Sequence, residues 1–526
     1  MSQLAQSPGR LVELATYPAV HFQHCADKIY GNNRPGEEAD PRFQAESWQH
    51  FPWHAWAENF CLAENWWRRA TTEVPGLPEH VERTISFIAR QMLDALSPSN
   101  FIATNPELFH ETIRTGGKNI LHGAQSAITD AQRAISGKQA PGLENFIVGK
   151  NLAITPGRVV FRNHLIELIQ YAPQTESVYK QPILMLPAWI MKYYILDLSP
   201  NNSMVNWLVQ QGHTVFIASW RNPDAADRNL GMDDYYRLGA MAAIDFISDQ
   251  LPKAKIHLMG YCLGGTLATI TAAAMANKGD HRLQSLTLLA SQADFTEAGE
   301  LMLFITESEI AYLKNMMWDK GYLDGKQMAG TFQMLHSNEL IWSRMIHDYM
   351  MDKRRGAIDL LAWNADATRM PYKMHSEYLE KLFLHNDFVQ GRFTVEGNQI
   401  APDDIKLPIF AVSTEEDHVA PWRSVHKIHL ITPCEDITFV LTSGGHNAGI
   451  VSEPGHPGRS YHIHTTTHGQ PYRSPEGWLD SAQTREGSWW LAWHDWLSQR
   501  SDKKRIHPPV LSEGLCAAPG TYVLQK

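Results

Sequence analysis

The sequence predicts an α/β chain: a mostly parallel sheet, preceded by a helical unit and interrupted by an insertion. Three observations predict it. Beyond residue 156 short β-rich runs alternate with helical stretches. One run passes through a Gly-x-Cys-x-Gly turn into a helix of small residues. The strand rhythm then vanishes over a long Met- and aromatic-rich interval before it returns. Strand–helix alternation lays parallel strands under helices on both faces. A chain of 526 residues with 44% hydrophobic composition exceeds the roughly 250–300 residues of one core, so two or three units are expected.

The first unit, residues 1–150, reads as a helical N-terminal domain. From Arg42 to Ile135 the pattern is helical, with amphipathic spacing from Val81 to Ile88. Trp48, Trp53, Trp56, Trp66 and Trp67 crowd its start. Such a cluster is read first as packing and second as a grip on a partner or an apolar surface. The second unit, residues 151–526, opens after Pro156-Gly157. Strands are predicted at Val159–Phe161, Ile183–Leu186, Thr214–Ala218, Ile256–Met259 and Leu286–Leu289, with two more at Ile409–Val412 and Ile437–Leu441. The interval from about 293 to 401 is expected to cap the carboxyl edge of the sheet, where open α/β sheets bind ligands.

Composition removes several function classes. The net charge of −10 and the lack of a Lys/Arg run argue against nucleic acid. Five scattered cysteines do not form a disulfide framework, so a reducing compartment is expected. The first 30 residues have no apolar run behind a basic start, and the longest apolar stretches fall short of the roughly 20 residues of a transmembrane helix. Neither secretion nor a transmembrane segment is expected. There is no P-loop or dinucleotide glycine loop, which removes nucleotide hydrolysis and hydride transfer.

The chemistry concentrates at Gly260-Tyr261-Cys262-Leu263-Gly264-Gly265, between the strand Ile256–Met259 and the helix Thr266–Ala276. This is the G-x-S-x-G nucleophile elbow with cysteine for serine, and it makes the fold an α/β-hydrolase fold. Gly260 and Gly264 are needed because the turn is tight. Helix-terminal N–H groups favour a thiolate and can bind an oxyanion, with Leu263 N–H as first donor. The alternative, a buried structural cysteine, does not call for strand before and helix after.

In this fold the acid and then the histidine follow the nucleophile at strand ends. Asp417 follows the strand Ile409–Val412, and His446 follows Ile437–Leu441 within Gly444-Gly445-His446-Asn447. The expected set is Cys262, Asp417, His446. His418 is read as shaping the loop, and Glu415 and Glu416 as solvated. His456, His462, His464 and His468 lack the helix spacing and carboxylate of a catalytic zinc site, so they are read as a surface loop and no metal is expected.

With these motifs in place, the chain resembles the polyhydroxyalkanoate synthases of single-subunit type over nearly its whole length. The resemblance rests on Leu93 to Phe101, Pro187 to Leu198, Gly212 to Phe216, Trp220-Arg221-Asn222-Pro223 and Trp363 to Arg369. It continues through Asp417 to Trp422, Glu486 to Trp490 and Ala518 to Leu524. It implies a cysteine, aspartate and histidine at Cys262, Asp417 and His446. It also implies polymerisation of (R)-3-hydroxyacyl-coenzyme A, with 3-hydroxybutyryl-coenzyme A expected, into polyester with release of coenzyme A. No cofactor is expected, because the coenzyme A thioester is the substrate. A homodimer and a cytoplasmic location on polyhydroxyalkanoate granules, touching the growing polyester chain, are further implications.

The proposed cycle has His446 take the Cys262 proton as the thiolate attacks the thioester. In elongation His446 deprotonates an incoming 3-hydroxyl, and Asp417 either orients the histidine or contacts that hydroxyl. The insertion serves as a lid against water. Lys192, Arg221 and Arg369 are candidates by type alone for the coenzyme A phosphates, each read first as structural or surface. Two rival readings are a cysteine thioesterase or ester hydrolase of the same fold, and a non-catalytic granule coat protein, for which a strained thiol-bearing turn has no use.

Overall fold

The computed structural model describes residues 8–29, 40–325, 327, 341–354, 356–434, 436–467, 469–511 and 514–526, with side chains of 22–29 left aside. The chain divides into two compact units, residues 1–141 with 329–356 and residues 142–328 with 357–526. The boundary expected near residue 150 thus falls at 141/142. Part of the interval read as a cap, 341–354, belongs to the helical unit instead.

The first unit holds helices α1 (Pro8–Ile29), α2 (Trp53–Thr71), α3 (Glu79–Leu96), α4 (Pro106–Thr115) and α5 (Lys118–Ile135). Asn105 caps α4 by accepting from Leu108 N–H, and Pro106 at its first position has no N–H to leave unpaired. The tryptophans split between roles. Trp48 is buried against Phe43, and Trp66 donates its indole N–H to the Leu14 carbonyl at 2.9 Å, while Trp56 and Trp67 are exposed. Arg42 is half-buried and pairs with Asp40 and Glu64, at 2.7 and 2.6 Å, so its charge is compensated where little water reaches it. Asn119 donates to the Met350 carbonyl and Tyr349 to Asp130, which ties 341–354 to α5.

The second unit is built on one sheet of eleven strands. In chain order these are β1 (Gly157–Arg162), β2 (Ile166–Tyr171), β3 (Ile183–Leu186), β4 (Val215–Trp220), β5 (Ile256–Tyr261) and β6 (Leu283–Leu289). After the insertion come β7 (Ile409–Glu416), β8 (Asp436–Gly445), β9 (Ser460–Thr467), β10 (Gln483–Glu486) and β11 (Cys516–Ala517). Their order across the sheet is β10-β9-β8-β7-β6-β5-β3-β4-β2-β1-β11. The six strands from β4 to β8 pair in parallel, and the margins on both sides are antiparallel. Parallel strands covered on both faces become continuous apolar runs, as in the fully buried β3, β4 and β5. Each predicted strand is present, and the mostly parallel sheet is as expected.

Of the antiparallel margin strands only β1 was foreseen. Ile166–Tyr171 is buried at every position, so it lacks the two-residue alternation that marks a half-exposed strand. The supposed histidine loop is strand β9, in antiparallel register with β8 from Thr442↔Tyr461 to Asp436↔Thr467. A Thr-rich run with Tyr461 and Ile463 two residues apart suits a pleated edge, and this outweighs the nearby glycines and prolines.

The helix α6 (Met204–Gln210) precedes β4, and α7 (Ala242–Gln250) precedes β5; α8 (Leu263–Asn277) follows β5. From Gly264 to Met275 α8 is buried throughout, and its Gly, Ala and Thr residues let it lie close to the sheet. Within the 293–401 interval, α9 (Glu307–Trp318) starts with a capping box from Thr306 and Glu309. The pair Tyr322–Leu323 with Met370–Pro371 closes this segment.

Candidate active site

The turn after β5 carries Cys262 at φ +53°, ψ −124°, a backbone conformation that costs a non-glycine residue energy and persists only where its surroundings enforce it. The enforcement is visible. Cys262 N–H donates to the Leu289 carbonyl of β6 at 2.8 Å, and its carbonyl accepts Gly265 N–H at 2.9 Å. A Cβ on Gly260 would lie 2.3 Å from the Gly265 Cα, and one on Gly264 would lie 1.9 Å from the Leu186 oxygen at the end of β3. Side chains at either position would push helix and sheet apart. Cys262 is the N-cap of α8, and the N–H groups of Leu263 and Gly264 open that helix, where no intrahelical acceptor exists. They form an electropositive rim beside the sulfur.

Asp417 follows β7 and its side chain is fully buried. Oδ1 accepts the N–H groups of Val419 and Ala420 at 2.9 and 2.8 Å, and Oδ2 accepts Thr414 Oγ1 at 3.3 Å. Glu415, Glu416 and His418 point outward. Just past the strand end the chain turns Asp417 inward, where the Val419 and Ala420 N–H groups and Thr414 hold its carboxylate, while its acidic neighbours stay exposed.

His446 follows β8, whose Gly445 is level with Glu416 of β7. Its Nδ1 is 2.8 Å from Asp417 Oδ2, and its ring lies close enough to Cys262 to feel the sulfur's charge. Burial alone would lower the imidazole's proton affinity. The Asp417 carboxylate and the adjacent Cys262 outweigh it and hold the histidine well above its ordinary range. The structure therefore brings Cys262, His446 and Asp417 together at the carboxyl ends of β5, β8 and β7, with His446 hydrogen-bonded to Asp417 and adjacent to Cys262.

Around them, Tyr261 lies beside the His446 ring, with centroids 5.8 Å apart. Tyr378, from the insertion, is held protonated by burial and by nearby Cys262. Trp189 packs edge-on against Tyr378 at 5.9 Å. The sequence pattern did not single out these aromatics, because a core tyrosine and one beside a reacting group look alike in a string of letters.

The candidate phosphate-binding cations have other partners. Lys192 is buried, and its Nζ donates to the Gln525 and Tyr522 carbonyls at 2.8 and 3.4 Å. Arg221 pairs with Asp224 and Asp227 at 2.7 and 2.5 Å. Arg369 donates to the Pro223 and Lys526 carbonyls. Lys192 and Arg369 thus fasten the final residues of the chain to neighbouring loops, and Arg221 holds its own loop.

Of the second histidine group, His456 pairs with Glu453, His464 accepts from Arg473 at 2.7 Å, and His462 meets Thr484; His468 lies outside the described residues. Among the described residues no group of three or more His, Cys, Asp or Glu is arranged to hold a metal ion.

Comparison with known proteins gives this geometry a family. Residues 39–208 match the model of the poly-beta-hydroxybutyrate polymerase (PhaC) N-terminus, and residues 181–453 that of the alpha/beta hydrolase fold. A poly(3-hydroxyalkanoate) polymerase of Methylorubrum extorquens is 40% identical over 495 residues, covering 93% of this chain and 81% of that protein. The poly(3-hydroxyalkanoate) polymerase subunit PhaC of Rhizobium meliloti is 38% identical, covering 92% and 79%, and that of Cupriavidus necator is 36% identical, covering 93% and 83%. A match of this extent, through both the helical unit and the sheet, places the chain in the poly(3-hydroxyalkanoate) polymerase family of acyltransferases.

Proposed function

We propose that the chain polymerises (R)-3-hydroxyacyl groups from coenzyme A thioesters, with 3-hydroxybutyryl-coenzyme A as substrate and Cys262 as the covalent carrier. The observation that carries the reading is the Asp417–His446 hydrogen bond beside Cys262, which sits on a strained turn at a helix start. Asp417 makes His446 a strong proton acceptor, as removal of a thiol proton requires. The sulfur then attacks the thioester carbonyl, the Leu263 and Gly264 N–H groups receive the oxyanion, and the bond to coenzyme A sulfur breaks as His446 returns the proton to it. Elongation runs the same way with an alcohol. A 3-hydroxyl loses its proton to His446, its oxygen bonds the acyl carbon, and Cys262 sulfur leaves and is reprotonated.

Water must lose to that hydroxyl, and Tyr378 and the residues packed around it, Trp189, Phe295 and Phe383, are suited to keep it out. In this reading no cofactor takes part. Among the described residues no helix is long and apolar enough to cross a membrane. The exposed Ile85, Ile88, Met92 and Leu96 on α3 suit contact with an apolar polymer surface, and we extend the proposal to a cytoplasmic homodimer on polyester granules.

The test is incubation with 3-hydroxybutyryl-coenzyme A, following thiol release, insoluble polymer and free acid for the native chain and Cys262→Ala. Cys262-dependent thiol release with polymer supports the proposal. Stoichiometric free acid would make the chain a thioesterase, and release untouched by Cys262→Ala would remove the nucleophile.

A further inference from the structure

The last residue of β5, Tyr261, and the residue after the candidate histidine, Asn447, come from segments 186 positions apart in sequence, yet their side chains meet. The Tyr261 hydroxyl donates to Asn447 Oδ1. Tyr261 is 1% exposed, so its hydroxyl must find a partner inside the protein. Its ring lies beside His446 at an interplanar angle of 38°, and its backbone leads directly into Cys262. On the other side, Asn447 Nδ2 reaches Asn364 Oδ1 at 3.4 Å, extending the connection to the helix Asp359–Asn364 of the insertion.

Geometry explains why a brace is useful here. Asp417 fixes one nitrogen of His446, but a single hydrogen bond leaves the ring free to swing about that contact. The loop that carries His446 is also glycine-rich: Gly444 adopts φ +96°, which no other residue type adopts readily. Cys262, by contrast, is locked by strain and by β6. The histidine loop and the nucleophile turn end different strands, so a direct tie between their side chains helps to fix the separation of sulfur and ring nitrogen. An error of about 1 Å at such a pair costs on the order of 10²-fold in rate.

We infer that Tyr261 and Asn447 are positioning residues, a hydrogen-bonded brace that sets the distance between Cys262 and His446. This rests on those two residues being the reacting pair. The brace works through them and touches no substrate. Asn447 Oδ1 is only partly buried, so water can replace the phenol in Tyr261→Phe, and the fold survives while the register loosens.

The experiment is a double-mutant cycle on the full chain with Tyr261→Phe, Asn447→Ala and the pair. It is read by thioester turnover and by the pH dependence of Cys262 alkylation with iodoacetamide, with thermal melting as a folding control. Each single variant should lower kcat by roughly tenfold, with KM changed less than about threefold, and the double variant should be no worse than the singles, since one interaction is lost once. The alkylation profile should shift in both singles, because the His446 proton is held partly by nearby Cys262. Losses that multiply to about a hundredfold in the double variant would overturn the brace. So would an unchanged kcat and alkylation profile in Tyr261→Phe. Alkylation of Cys262 does not depend on the product formed, so a chain that proved to be a thioesterase would still answer the question.

Discussion

At the scale of single residues, the site is a study in how one histidine keeps its proton. His446 is partly desolvated, which by itself favours the neutral ring, yet Asp417 and Cys262 reverse the sign. A folded-state proton affinity above the ordinary value contributes stability that is fully present below about pH 6.5 and is lost as pH rises through the folded value. Asp417→Asn removes the main source. The stability gap between native chain and Asp417→Asn, from urea midpoints, should be widest near pH 6 and narrow as pH rises. A gap that widened with pH would contradict the assignment. The same substitution should cut turnover by about 10³–10⁴-fold, since the ring loses its orientation and its charge partner.

Structural elements set what a residue can do, and the turn between β5 and α8 is the clearest case. Gly264→Ala would place a carbon 1.9 Å from a backbone oxygen of β3. It should cost about 3 kcal/mol of stability or abolish soluble expression, as checked by thermal melting, although the residue carries no reacting atom. The six parallel strands and this turn were legible in the sequence because buried parallel strands are short unbroken apolar runs, and a G-x-C-x-G between strand and helix has few other uses. Asp417 and His446 were legible from their order after strands. Of the antiparallel margins, β2 and β9 were not, since a strand buried on both faces and an edge strand of threonines and histidines both depart from the expected alternation. Lys192 shows another limit: residue type says nothing of burial. Its ammonium sits among the carbonyls of the last residues, and burial lowers it from 10.5 to about 8. Because the folded value is the lower one, its share of stability is present above pH 10.5 and lost as pH falls through about 8. The native chain should therefore gain stability relative to Lys192→Met between those values, read from denaturant midpoints in a pH series. No change in the difference would mean that the amine is already paired or solvated.

At the scale of the whole molecule, the parallel order β4-β3-β5-β6-β7-β8 brings residues 262, 417 and 446 to one edge of the sheet, because each follows the carboxyl end of its own parallel strand. Sequence separation is thereby converted into contact without any long-range coincidence. The same edge faces residues from the insertion, and Tyr378 next to Cys262 is where exclusion of water would be felt. The central claim is that this edge carries the acyl group on Cys262 sulfur. It is tested most directly by brief mixing with 3-hydroxybutyryl-coenzyme A, acid quenching, and mass analysis of the peptide that contains Cys262. The account predicts a hydroxyacyl or oligomeric mass increment on that peptide, retained at acid pH, released by hydroxylamine and absent from Cys262→Ala. An unmodified Cys262 peptide during active turnover, or the increment on another residue, would contradict it.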